Sequence, residues 1–112
     1  MANKLMIFDD DKDILAICTF IFKRLGWEVC SSENCNDITL KVKQEQPDVI
    51  LMDNWIPDEG GIAATRTLKQ DQELNHIPVI YFSANRDVES LAEQAGADAY
   101  IKNHLTSRNL KT

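Results

Sequence analysis

The chain has 112 residues, 44% of them hydrophobic and 27% charged, a make-up that fits one globular domain with a real core. A net charge of −6, with twelve Lys and Arg that form no stripe, argues against direct nucleic-acid binding, because affinity for a phosphate backbone needs clustered cations. No apolar stretch approaches the ~20 residues that cross a bilayer, and Met1 to Lys4 lack the apolar core of a signal peptide. The expected location is the cytoplasm. Cys18, Cys30 and Cys35 have no metal-binding spacing and are expected as free thiols there.

Apolar runs of strand length alternate with stretches of helical period. Leu5 to Phe8 is a first strand. Behind it, Asp11 or Asp13 can cap a helix whose apolar positions are Ile14, Leu15, Ile17, Cys18, Ile21, Phe22 and Leu25. Gly26 sits where a left-handed helix end is cheapest. Trp27 to Cys30 is a short second strand, and Asn36 or Asp37 opens a second helix carrying Ile38, Leu40 and Val42, stopped by Pro47. The third strand, Asp48 to Met52, meets the turn-rich loop from Asp53 to Gly61. A third helix carries Ile62, Ala63, Arg66, Leu68 and Lys69, and Pro78 marks entry to strand four. Helix four covers roughly Asp87 to Ala95 and ends at Gly96, before a short fifth strand, Ala99 to Ile101. Such βα alternation predicts a doubly wound, flavodoxin-like α/β fold with a five-stranded parallel sheet, (βα)5, in one domain over 1–112. After His104 only Leu105 and Leu110 are large and apolar, so the last helix is expected to be shortened or missing.

Three of the strands end in polar residues: Asp9-Asp10-Asp11, Asp53 and Ser83. The carboxyl ends of parallel strands are where ligands collect. Asp9, Asp10 and Asp53, brought together, would repel one another unless a divalent cation joined them. With Mg2+ held there, Asp53 can act as a nucleophile toward a phosphoryl group. Ser83 can donate a hydrogen bond to that group, and a lysine near the end of strand five would complete the clamp.

These signals, with the loop Met52-Asp53 to Ile56-Pro57 and Gly60-Gly61, Ser83-Ala84, and Ala95-Gly96-Ala97-Asp98-Ala99-Tyr100, resemble a response-regulator receiver domain up to about Lys102. The resemblance implies a two-component signalling domain rather than an enzyme. Asp53 would be the phosphoacceptor, fed by a sensor histidine kinase or a histidine phosphotransfer protein. Asp9 and Asp10, with Asp53 and the backbone carbonyl of Trp55, would hold Mg2+. Ser83 and Tyr100 would form the switch pair and Lys102 the clamp, acting on an effector protein that the sequence does not name.

The chain departs from the family pattern after strand five. The family has Lys-Pro beginning three residues beyond the aromatic, whereas this chain reads Tyr100-Ile101-Lys102-Asn103-His104. Either Lys102, one position early, or the uncharged Asn103 fills the clamp. The charge requirement favours Lys102. Without the proline, a trans bond is expected at Asn103-His104. A reduced last helix leaves an apolar flank for a partner or a second copy, hence room for a homodimer. Two other functions compete. One is a phosphorylation-independent receiver that serves as a binding module. The other is a haloacid-dehalogenase-like phosphatase with Asp9 as nucleophile, assisted by Asp11 and Ser83. That enzyme class needs a late acidic pair, and no acid follows Asp98.

Overall fold

The computed structural model describes residues 3–53, 60–83 and 87–102, with the backbone alone for Ser83 and Lys102. In chain order the elements are β1 (Lys4–Phe8), α1 (Lys12–Arg24), β2 (Glu28–Ser32), α2 (Ile38–Glu45), β3 (Val49–Asp53), α3 (Gly60–Gln70), β4 (Val79–Ser83), α4 (Val88–Ala95) and β5 (Ala99–Lys102). The strands form one sheet in the order β2-β1-β3-β4-β5, parallel throughout. This is the doubly wound architecture expected from the sequence. The fate of the last helix, the Asn103-His104 bond and the loop bearing Trp55 lie outside the described residues.

Strand alternation splits the core into two layers. Met6, Phe8, Ile50, Met52, Val79 and Tyr81 point to one face and pack under α2, α3 and α4 through Ile38, Val42, Ala64, Leu68, Val88 and Ala92. Leu5, Ile7, Leu51 and Phe82 point to the other, under Ile14, Leu15 and Cys18 of α1. Both faces of the central strands are therefore dry, which is why those strands read as unbroken apolar runs.

α1 begins where Asp11 accepts hydrogen bonds from the Asp13 and Ile14 amides at 2.9 and 3.2 Å, satisfying amides that the first turn leaves orphaned. It ends at Leu25, with Gly26 left-handed at φ 94°. α2 starts differently. Asp37 is itself left-handed and its side chain makes no capping bond. The loop before α2 is tied instead by Lys41, whose Nζ donates to Ser32 Oγ at 3.0 Å and Asn34 Oδ1 at 2.7 Å. Two further expectations shift. β2 runs on to Ser32, beyond Cys30, because its partner β1 continues to Phe8 in register with it. Of the α1 positions expected in the core, Ile17, Ile21 and Leu25 are exposed, since the core-facing arc of the helix is narrower than its apolar arc. Leu40 of α2 is exposed as well.

Asp98 fastens the far edge of the sheet. Its carboxylate accepts from the buried Val79 amide at 2.8 Å and pairs with Lys69 at 2.5 Å, while its own amide donates to Val79 O at 2.9 Å. Lys69 also donates to Ile77 O at 2.9 Å, so one ammonium joins α3 to the start of β4 and β5. Burial alone would raise the Asp98 carboxyl, but the bonds from Lys69 and Val79 outweigh it and hold it below its ordinary value. Replacing Asp98 with Ala leaves the Val79 amide buried and unbonded. The expected loss is about 1–3 kcal/mol, read from urea unfolding at pH 7. An unchanged midpoint would show that this latch is idle.

Candidate phosphoacceptor and cation site

The strand order reverses between β1 and β3, since β1 sends its chain to β2 on one side and β3 leads to β4 on the other. The crevice outside such a reversal is where open α/β sheets bind ligands. β1 delivers Asp9 and Asp10 to that edge, and β3 ends on Asp53. Parallel pairing of Phe8 with Met52 makes Asp9 and Asp53 the next residues in line on adjacent strands. Both are nearly inaccessible, at 2% and 7% exposure, while Asp10 is exposed.

Asp9, Asp10 and Asp53 bring one carboxylate oxygen each to within 4.8 Å of the others. Asp9 is the most constrained of the three. Its amide donates to Ser32 O at 3.1 Å, and its Oδ1 accepts from the Asp11 amide at 2.9 Å. Burial pushes its carboxyl up to about 8, and the charge of Asp53 adds to the shift; the Asp11 amide opposes it. A shared side-chain hydrogen bond with Asp53 accompanies that coupling. A proton is therefore the local substitute for a cation. The donor set suits Mg2+, whose ligand oxygens at 2.0–2.1 Å stand about 3–4 Å apart across an octahedron. Hard carboxylate oxygens with water are its preferred partners.

The field of the cluster reaches further than the sequence suggested. Cys18, under β1, is pushed up to about 11 by burial and by the charge of Asp9. Tyr81, fully buried on β4 and not foreseen as part of the site, is raised by burial and then by Asp53. The only sequence hint was a phenol inside the apolar run Val79 to Phe82. Thr65 of α3 is buried too, and its hydroxyl has no hydrogen-bond partner among the described residues.

The other expected site residues sit on β4 and β5. Asp53 registers with Phe82, and Phe82 with Ile101, while Ser83 registers with Lys102. β5 is therefore one residue longer than the sequence reading, and Lys102 lies within it, beside the backbone of Ser83. Tyr100 is 45% exposed. The charge of Glu89 of α4 raises its phenol above the ordinary value. Trp55 lies outside the described residues. None of Cys18, Cys30 and Cys35 is joined in a disulfide.

A parallel sheet with order 2-1-3-4-5, carrying paired buried acids at its reversal, defines an α/β domain equipped for a cation at the carboxyl edge of the sheet. A family model of the response regulator receiver domain matches residues 5–112, and the chain belongs to that family. Among solved structures, it is similar to the chemotaxis response regulator CheY4 of Vibrio cholerae, with 17% identity, a TM-score of 0.85, and 99% of this chain and 94% of that one covered. It is also similar to a CheY-like receiver domain protein from Methanospirillum hungatei JF-1, with 25% identity, a TM-score of 0.80, and 99% and 89% covered. The receiver domain of a signal transduction histidine kinase from Syntrophus aciditrophicus matches at 23% identity and a TM-score of 0.83, covering 98% and 85%. The family consists of two-component signalling domains, not enzymes in the ordinary sense, and its members bind Mg2+ at an acidic site. They work with histidine kinases and effector domains.

The raised Asp9 carboxyl has a sign that can be tested. Folded Asp9 keeps its proton to about pH 8, whereas the unfolded group loses it near 3.8. The native state thus binds more protons in that window, and its stability from this group falls as pH rises from about 4 to about 8. In metal-free protein, the stability gained by Asp9→Asn over wild type should grow across that range, by on the order of 1–3 kcal/mol. Urea midpoints at pH 5, 6.5 and 8 read it. Parallel curves for the two proteins would contradict the coupling.

Proposed function

We propose that the chain works as one receiver domain over residues 1–112, a phosphoacceptor switch in which Asp53 takes a phosphoryl group from a phosphohistidine donor. The observation that carries this reading is the convergence of Asp9, Asp10 and Asp53 within 4.8 Å at the β1/β3 reversal. Asp53, at the end of a buried strand, attacks phosphorus through a carboxylate oxygen. The P–N bond to the donor imidazole breaks, and the departing nitrogen takes a proton. Asp9 and Asp10, with Asp53 and the Trp55 carbonyl, would hold Mg2+. When bound, that ion supplies the positive charge that draws the transferring oxygens toward Asp53.

Ser83 then donates to a phosphoryl oxygen. Lys102 is the proposed clamp, supported by the extension of β5 to Lys102 and its pairing with Ser83. Tyr100 is the second half of the switch. Turning inward requires it to leave Glu89, which ties the phosphoryl state to the surface of α4. The donor is a sensor histidine kinase or a histidine phosphotransfer protein, the output is an effector protein, and the setting is the cytoplasm. No helix among the described residues is long and apolar enough to cross a membrane. A phosphorylation-independent binding module is the second reading, favoured by the early position of Lys102.

Intact-protein mass after incubation with acetyl phosphate separates the two. One phosphoryl adduct that needs Mg2+ and is lost in Asp53→Asn is expected. Lys102→Ala and Ser83→Ala should each slow its formation about 10²–10³-fold, the usual effect of removing one stabilising donor. No adduct in wild type would favour the binding module, and an adduct surviving in Asp53→Asn would put the acceptor elsewhere.

A further inference from the structure

Asp9 reaches the acidic cluster after its strand has ended, because β1 stops at Phe8. Its amide is held there by Ser32 O at 3.1 Å. Ser32 is the last residue of β2, the outermost strand, which is bonded to β1 on one side alone. Ends of elements at an edge fray readily. A fraying support would suit badly an ion that demands near-ideal octahedral geometry. Here α2 secures the strand end. The Lys41 ammonium donates to Ser32 Oγ at 3.0 Å, to Asn34 Oδ1 at 2.7 Å and to Asn34 O at 3.3 Å. Its three protons thus meet three acceptors. Ser32 Oγ in turn donates to Asn34 O at 2.8 Å, and the Asn36 amide donates to Asn34 Oδ1 at 3.0 Å.

The partners of Lys41 are all uncharged oxygens, and it forms no ion pair among the described residues. Ordering a long lysine side chain in this way costs rotamer freedom, and what it fixes is the segment that carries the acceptor of the Asp9 amide. The same segment has one other tie, Lys12 to Glu33 at 3.8 Å between exposed side chains, a kind of pair that contributes little. We propose that Lys41 is a positioning residue of the cation site, which fixes the backbone of Asp9 through Ser32 and so the oxygen that Asp9 offers beside Asp10 and Asp53. The inference rests on the receiver reading of that site, and Lys41 itself touches no ion. Ca2+ accepts flexible ligand geometry where Mg2+ does not. A lysine that fixes geometry therefore supports selectivity for Mg2+ over Ca2+, whereas one acting by its charge alone would weaken the binding of both ions alike.

Calorimetric titration of Mg2+ and of Ca2+ into the whole chain at pH 7, with hydrogen exchange of the Asp9 amide followed in metal-free protein, tests it. Lys41→Met keeps the aliphatic stem and removes the donors. It should weaken Mg2+ binding about tenfold, the low end for a residue that stands behind a metal ligand, and Ca2+ binding by less than about threefold. Ser32→Ala keeps the strand backbone and breaks the same link, so it should lose selectivity in the same direction. In both variants the Asp9 amide should exchange faster than in wild type. Asp98→Ala, which loosens the far edge of the sheet, should leave the ratio of the two affinities unchanged. Equal changes for the two ions, or an Asp9 amide that exchanges as in wild type, would overturn the inference and leave the receiver reading standing. A shifted ratio in Asp98→Ala would overturn it as well, by reducing the effect to general loosening. Wild-type protein that binds no Mg2+ would overturn the receiver reading and this inference together.

Discussion

Mutual repulsion among carboxylates held out of water governs this domain. Asp9 and Asp53 stand at the ends of adjacent central strands, both nearly inaccessible, with Asp10 beside them at the surface. Sheet register fixes their separation, so they cannot drift apart as surface acids would. The fold therefore maintains a site that is satisfied only by positive charge, whether a proton on Asp9 or a divalent cation among all three. Around that edge, β4 ends on Ser83 and β5 on Lys102, while Tyr81 and Cys18, on opposite faces of the sheet, feel the charge of the cluster.

The elements and the acidic cluster were legible because their causes are local. An unbroken apolar run such as Val49 to Met52 can be covered on both faces only in a parallel sheet, and an acid directly after it must emerge at the carboxyl edge. The Asp11 cap and the left-handed Gly26 were equally readable, each following from the chemistry of one residue. What could not be read depended on neighbours and backbone geometry that only the folded chain supplies. β2 outlasts its apolar stretch because β1 offers it a matching edge as far as Phe8. Asp37 failed as a cap because its own left-handed backbone turns its side chain away from that task, and Lys41 secures the loop instead. That Tyr81 lies in the field of Asp53 was hidden because a tyrosine in a β-run is ordinarily a packing residue.

The two sides of the sheet are covered unequally. Three helices lie over the face that holds Met6, Met52 and Tyr81, whereas among the described elements only α1 lies over the other. On the crowded face, the large apolar side chains of the helices are buried or, at Ile62 and Leu91, partly buried, with Leu40 an exception. On the other, α1 keeps its stripe from Ile17 to Leu25 in solvent. The asymmetry sets the acidic cluster at the carboxyl edge apart from the exposed apolar side chains along α1. The helix joins them, because its cap residue Asp11 follows Asp10 directly and donates its amide to Asp9.

Titration calorimetry of Mg2+ into the protein at pH 7, in buffers of different ionisation enthalpy, addresses the central claim most directly. If Asp9 holds a proton that a cation must displace, binding should release close to one proton per Mg2+, and Asp9→Asn should release almost none. Absence of Mg2+ binding, or wild-type binding with no proton released, would contradict the account of a buried acid kept protonated until a cation arrives.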